Sequence, residues 1–386
     1  MRILAACSLG GAGHLQPLLP FLAAARRRGD ETAIVGPPAL DEMARATGHR
    51  FLPGGEPSEA EVAPIRERLP VVPPDEASVL GNRELFGRLA TTAMLPAMDD
   101  VCARWTPDLV LREPCEYASA IVAAARGIRV AQVAISLADA EHGSIAAAAP
   151  ALEARRTGLV DRLLGMPYLT RFPTSIDPSR FPDTRRFSVA EPGEPAPLPD
   201  WWDGSSAPLV YLTFGTVLGH MSFAAGVYRT AIDAVADLDA RVLLTVGRRI
   251  DPADLGPIPA HVRVEPWVEQ RDVLAHAELV VCHGGSGTTF GALAAGVPLV
   301  VVPVFADQFE NGRRVARSGA GLAVEVEPAT GDGSRRVISA DDAPRIALTV
   351  AGALTDPSLQ DHARRIGREM AGAPAVDQVL DELLAS

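Results

Sequence analysis

Residues 267–311 read WVEQRDVLAHAELVVCHGGSGTTFGALAAGVPLVVVPVFADQFEN, and this stretch decides the fold. An apolar run, residues 277–282, stops at His283. Gly284, Gly285, Ser286, Gly287, Thr288 and Thr289 follow and open a helix. A second apolar run, residues 299–302, leads to Asp307 and Gln308. A strand that feeds a glycine-rich loop and a helix N-terminus makes a site for a diphosphate. Free backbone N–H groups and the helix dipole point at the anion, and glycine lets it come close. The polar pair after the next strand then lies near whatever the diphosphate carries, because open parallel sheets bind ligands at the carboxyl edges of their strands.

The same alternation of apolar run and helix extends outward through the chain. Towards the N-terminus it predicts strands at residues 3–7, 32–35, 108–111 and 130–134, with helices at 15–28 and 117–126. It restarts at residues 209–214 and continues to about residue 326. Alternating strands and helices mean α/β units with parallel sheets. Between them, residues 183–208 are rich in Pro, Gly and Ser and carry little periodicity, which marks a linker. The expected organisation is a first α/β domain at 1–190, a linker at 191–208, a second α/β domain at 209–370, and a terminal segment at 371–386 whose helix crosses back to the first domain. Residues 53–97 and 136–164 read as irregular insertions, apart from a helical piece at 84–95. Both follow strand ends and are placed to shape a pocket.

Composition narrows the function. The chain has 386 residues, 47% of them hydrophobic, enough for two cores. A net charge of −12 argues against nucleic acid or an anionic membrane surface as partner. There is no lysine, which removes Schiff-base chemistry and a P-loop lysine. Cys7, Cys102, Cys115 and Cys282 are widely spaced, with no CxxC pair for zinc, and fit reduced thiols in a cytoplasmic protein. The apolar runs are too short to span a bilayer.

Three further positions carry chemistry. GGAGHLQP at residues 10–17 occupies the first strand-to-helix turn but lacks the third small residue of a dinucleotide fingerprint, and no acidic residue ends the next strand. His14 in this turn sits at a helix start, where the dipole disfavours the imidazolium and leaves a ring able to take a proton. Glu113 lies past the strand at 108–111, at the same sheet edge. A carboxylate there accepts the second imidazole N–H, fixes the tautomer and stabilises the imidazolium. The competing reading of Glu113 is a solvated loop carboxylate near Arg112. Thr216 places a hydroxyl after the strand at 209–214; otherwise it is a turn residue. The DxD sequence Asp237-Leu238-Asp239 ends a helical segment and reads as a solvated face, so no metal is expected. Departure of a diphosphate then relies on backbone N–H groups, hydroxyls and His283.

Together these residues resemble the nucleotide-sugar-dependent glycosyltransferases of the GT-B fold, family 1, and most resemble the actinobacterial enzymes that attach deoxysugars to polyketide-type aglycones. The resemblance covers the whole chain and is strongest in residues 267–311 and GHLQP. It implies two Rossmann-like α/β/α domains facing across a cleft. His14 matches the base that deprotonates the acceptor, and Glu113 its acidic partner, where many relatives carry Asp. Trp267 and Val268 match the pair that stacks on and hydrogen-bonds the pyrimidine. His283, Gly287, Thr288 and Thr216 match phosphate contacts, within the loop that also holds Gly285 and Ser286. Asp307 and Gln308 match the pair that binds sugar hydroxyls. Plant relatives carry an acidic residue for the ribose eight positions after the loop histidine. This chain has Gly291 there, which favours a dTDP-sugar over a UDP-sugar.

The resulting expectation is an inverting, metal-independent transferase moving a deoxysugar from a dTDP-sugar to a hydroxyl of a hydrophobic natural-product aglycone. It needs no cofactor, nucleic acid or membrane, and leaves room for a homodimer or an auxiliary protein. The alternatives are a UDP-sugar transferase, a nucleotide-sugar epimerase of the same fold, and a noncatalytic partner protein.

Overall fold

The structure, a computed structural model, describes residues 1–69, 71–189, 193–304, 307–324 and 337–385. The chain divides into two compact units, Met1–Ala190 with Gly372–Ser386, and Glu191–Ala371.

The first unit is built on strands β1 (Arg2–Ala6), β2 (Glu31–Gly36), β3 (Arg50–Pro53), β4 (Leu109–Arg112), β5 (Arg129–Val133), β6 (Tyr168–Thr170) and β7 (Thr184–Arg186). They pair in parallel in the order β3-β2-β1-β4-β5-β6-β7. The central strands are continuous apolar runs because both faces are covered. Ile3 and Ala5 pack with Ile34 and Leu111 beneath helices Leu19–Arg27 and Val376–Ala385. Leu4 and Ala6 pack with Ala33 and Val35 beneath helices Thr91–Trp105 and Ala118–Arg126.

The C-terminal helix docks on the first unit through Val376, Val379, Leu380 and Leu383, all buried at helical spacing. Burying four such side chains contributes at most about 6–12 kcal/mol, at 1.5–3 kcal/mol each. The exposed Arg27–Asp377 ion pair beside them adds little. Packing therefore fixes the helix. Arg129 caps its end by donating to the Leu384 carbonyl at 2.7 Å. Residue 386 lies outside the described residues.

The second unit holds β8 (Leu209–Thr213), β9 (Arg241–Thr245), β10 (Val262–Glu265), β11 (Leu279–Cys282), β12 (Leu299–Val301) and β13 (Gly321–Ala323), parallel in the order β10-β9-β8-β11-β12-β13. In both sheets the strand order reverses beside the first strand, between β1 and β4 and between β8 and β11. Ligands bind at the carboxyl side of such a reversal.

Several expectations change. Residues 53–97 are largely helical: Glu59–Arg68 and Pro74–Leu80 are new, while the helical piece expected at 84–95 is there as a π-helix over Gly81–Ala90 running into Thr91–Trp105. Residues 136–164 form helices Ala138–Glu153 and Leu159–Gly165. Pro64, Pro96 and Pro150 sit inside these helices and read as breaks, whereas the alanines of 138–153 favour helix and bury Ile145, Ala148 and Leu152. The helix expected at 15–28 is instead Ala12–Leu15, a 3-10 turn Gln16–Leu18 and Leu19–Arg27, because Pro17 and Pro20 remove N–H donors. The linker residues lie on the second unit: Ala196 N–H donates to Asp272, and the Trp202 indole to the His261 carbonyl. Residues 191–192 of that linker, and the expected end of the repeating pattern near 326, lie outside the described residues. Among the described residues no helix is long and apolar enough to cross a membrane.

Candidate active site

In the first unit, β1 and β4 are neighbours with Ala6 opposite Arg112, so the residues following them meet. Glu113 continues the pairing, its N–H donating to the Ala6 carbonyl at 3.1 Å. Its side chain is wholly buried. Oε1 accepts the Ser8 N–H at 2.9 Å and a short bond from the Ser8 hydroxyl. Oε2 accepts the Cys115 N–H at 2.7 Å and lies 3.2 Å from His14 Nδ1. Burial opposes ionisation of Glu113. His14, the Ser8 hydroxyl and the Cys115 N–H outweigh it and hold the carboxyl down to about 2. Glu113 is therefore a buried anion and not a solvated loop carboxylate. Arg112 turns away from it, donating to the carbonyls of Glu116 and Pro114 and to Gln132.

His14 is 19% exposed, on the short helix Ala12–Leu15. The arrangement holds one ring nitrogen against a fixed anion, which orients the ring and stabilises the imidazolium formed on proton uptake. Cys7 is a free, buried thiol, pushed well above its usual range by burial and then by Glu113 and Glu116, so it is no nucleophile.

In the second unit, β8 and β11 meet with Thr213 opposite Cys282, and His283 follows directly. Burial pushes the His283 imidazole down to about 4, with the Thr213 backbone working the other way, so the ring is neutral at physiological pH. Its Nδ1 is buried and has no hydrogen-bond partner among the described residues. Glycines surround the ring. A Cβ on Gly215, whose φ is +70°, would lie 2.8 Å from His283 Cε1, and a Cβ on Gly285 would collide with Nε2. Helix Ser286–Ala294 begins at Gly285 without a side-chain cap, which leaves its first N–H groups to a ligand.

The loop is tied to the next strand's end by Asn311. This 1% exposed amide donates to the Gly284 carbonyl at 2.8 Å, to Ser286 Oγ at 3.2 Å and to Asp307 Oδ2 at 3.3 Å. Ser286 Oγ also donates to Asp307 Oδ2 at 3.2 Å. Gln308 is 3% exposed and its Oε1 accepts the Val304 N–H, so that oxygen braces the turn.

The structure thus brings His283, Gly285, Ser286 and Asp307 together. Thr288 is turned inward at 9% exposure, whereas Gly287 and Thr216 are exposed. Val268 is half-buried. Trp267 follows β10, the outermost strand, 52% exposed, with the Arg248 guanidinium 5.9 Å over its ring. The space beside Gly291 is filled: its Cβ would lie 2.8 Å from Gln270 Nε2. Sequence reasoning passed over Ser8, Cys115, Gln270 and Asn311. Only Asn311, an amide four residues after Asp307 on an amphipathic helix, carried a signal that could have found it. Among the described residues no group of three or more His, Cys, Asp or Glu side chains gathers as for a metal.

Comparison with known proteins identifies the family. The N-terminal domain of the erythromycin biosynthesis protein CIII-like family matches residues 66–215, and its C-terminal domain matches residues 229–385. An elloramycin glycosyltransferase of Streptomyces olivaceus is 32% identical, over 99% of this chain and 97% of the relative. The chain belongs to this family of antibiotic glycosyltransferases. A glycosyltransferase structure from Streptomyces nogalater superposes with a TM-score of 0.76 and 25% identity, over 100% of this chain and 99% of that one. A Streptomyces sp. SF2575 glycosyltransferase in complex with thymidine diphosphate superposes with a TM-score of 0.73 and 23% identity, over the full length of both. This glycosyltransferase therefore has the GT-B fold, two Rossmann-like α/β domains.

Proposed function

We propose that this transferase moves a deoxysugar from a dTDP-sugar to a hydroxyl of a hydrophobic natural-product aglycone, with inversion and without a metal. The observation that carries the reading is the buried, ionised Glu113 set 3.2 Å from His14 Nδ1. A histidine so held is a general base: it removes the acceptor's proton as the oxygen attacks the anomeric carbon opposite the leaving diphosphate, and Glu113 stabilises the resulting imidazolium. The acceptor binds the first unit and the nucleotide sugar the second.

The diphosphate sits on the first N–H groups of helix Ser286–Ala294, with His283, Ser286, Gly287, Thr288 and Thr216 around it. A neutral imidazole with an unpartnered nitrogen suits hydrogen bonding to a phosphate oxygen. Trp267 and Val268 receive the pyrimidine. Asp307 and Gln308 grip sugar hydroxyls, with Asp307 presented by Ser286 and Asn311. Support for thymidine diphosphate comes from the related complex and from Gly291. The Gln270 amide beside Gly291 favours a second reading, a UDP-sugar whose ribose hydroxyls meet that amide.

Mass spectrometry of the enzyme with dTDP- or UDP-sugars and an acceptor panel tests the function. A transferase adds a sugar's mass to an acceptor. Isomerisation of the donor alone would establish an epimerase, and no change with any donor would contradict the reading. Greater thermal stabilisation by dTDP than by UDP at equal concentration is expected, and the reverse order would select the UDP reading.

A further inference from the structure

The π-helix Gly81–Ala90 brings one aromatic side chain to His14. Phe86 is half-buried, its ring centroid 6.3 Å from the imidazole centroid, with the planes inclined at 31°. The π-helix has a structural cause. Thr91, five residues on, donates its hydroxyl to the Phe86 carbonyl at 2.7 Å and stays buried. A π turn carries an extra residue and re-aims the side chains around it, which is why such turns recur at functional sites.

The segment is also held in place. Gly87 packs directly on helix Ala138–Glu153: a Cβ there would lie 3.0 Å from Ala148 Cβ and 3.1 Å from the Asn82 carbonyl. Met94, one turn beyond Thr91, is buried in the core on the sheet. Phe86 is therefore fixed from both sides while its ring remains partly open to solvent beside the base. An aromatic ring spends few rotatable bonds to present a large flat face, so a fixed one binds a flat partner at little entropic cost.

We infer that Phe86 is the acceptor platform: its ring stacks on a planar aromatic ring of the acceptor and sets that ring's hydroxyl against His14. A ring lying on Phe86 at van der Waals separation, roughly 3.5–4 Å, stands beside the imidazole with a substituent oxygen in hydrogen-bonding reach. This deepens the proposed function by naming the acceptor class as planar aromatic alcohols, and it rests on that reading for the role of His14. Phe86 is a positioning residue, since the proton goes to His14.

The test is equilibrium binding of alizarin, a planar hydroxylated anthraquinone, by calorimetry, together with steady-state kinetics on the same acceptor. Phe86→Ala is expected to weaken alizarin binding roughly tenfold, the scale of a lost aromatic stack. Acceptor KM should rise in step while kcat falls less, and thymidine diphosphate affinity and the melting midpoint should hold. Phe86→Tyr should restore binding, which a merely structural role would not require. His14→Ala should still bind alizarin, weakened by no more than roughly tenfold for the one lost hydrogen bond, while turnover falls much further, so the binding arm stands apart from turnover. Wild type failing to bind alizarin, or Phe86→Ala binding it undiminished, overturns the platform. Phe86-dependent binding with no sugar transfer from any donor would leave the platform standing and sink the proposed function instead.

Discussion

Replacing Glu113 by glutamine keeps the shape of the side chain and removes its charge, which isolates the carboxylate's part. In the native site Oε1 takes two donors from Ser8, and Oε2 takes the Cys115 N–H and faces His14. Glutamine offers one acceptor oxygen. Turned toward Ser8, it leaves an amide N–H₂ facing the Cys115 N–H, so one bond is lost and a buried donor goes unpaired. A lost charge-assisted bond and an unsatisfied buried donor each cost on the order of 1–3 kcal/mol. The expected destabilisation is about 3 kcal/mol, a fall in melting midpoint of roughly 6–12 °C for a unit of this size.

The effect on turnover comes from the imidazolium. Loss of a hydrogen bond to that cation, about 2–3 kcal/mol, lowers kcat roughly 30- to 150-fold. The assay is kcat on an acceptor whose attacking hydroxyl is aliphatic, at a temperature where the variant is folded, with calorimetric thymidine diphosphate binding as control. Donor affinity should not change, because the proposed nucleotide site is in the other unit. Glu113→Asp draws the carboxylate back by about 1.5 Å, one carbon–carbon bond, and should fall between wild type and glutamine. Unchanged kcat in Glu113→Gln, with the stability loss present, would make Glu113 a purely structural anion and refute the reasoning.

Asp307→Ala should cripple transfer while leaving thymidine diphosphate affinity within a few-fold, since Ser286 and Asn311 still hold the loop together through Gly284; parallel loss of both by calorimetry and kinetics would make Asp307 a nucleotide or structural residue. Acid should unfold the protein in two windows. His283 refuses a proton until about 4 while the unfolded chain takes it near 6.5, so stability falls as pH drops from 6.5 to 4, by up to about 3 kcal/mol. Glu113 contributes stability above 4.5 that is lost as pH falls toward 2. Urea unfolding of wild type and His283→Gln across pH 7 to 5 should converge at the lower pH; parallel curves would mean that His283 titrates normally.

The sheets and both candidate sites were legible because they hang on strand ends. Runs such as residues 279–282 are apolar on both faces and stop abruptly at His283, so residues beyond neighbouring strands can be placed at one edge without knowing the helices. His14 and Glu113 were paired on that ground alone. What Glu113 leans on was not legible: Ser8 and the Cys115 N–H act through backbone geometry that no residue type announces. The helix at 84–95 was read, though not its π turn. The helix over 138–153 was hidden for another reason. There Pro150 reads as a break and alanine gives a weak apolar stripe, so periodicity was silent where packing of Ala148 and Leu152 decides the structure. Gln308 shows the limit in the second unit. Its oxygen braces the turn at Val304, a second duty that its place in the chain did not announce.

The central claim is that His14 takes the acceptor's proton. A phenol, with a pKa of about 10, ionises readily enough to mask the loss of a base, so the measurement is a pH–rate profile on an acceptor whose attacking hydroxyl is aliphatic, carried on a planar aromatic frame, wild type against His14→Ala, over about pH 5–9, the range in which histidine titrates. The account predicts turnover lowered by roughly 10²–10⁴-fold in the variant, loss of the rise in rate on the acid side, and unchanged thymidine diphosphate affinity. Equal turnover for the two proteins across the whole range would show that His14 only caps its turn, and would contradict the mechanism.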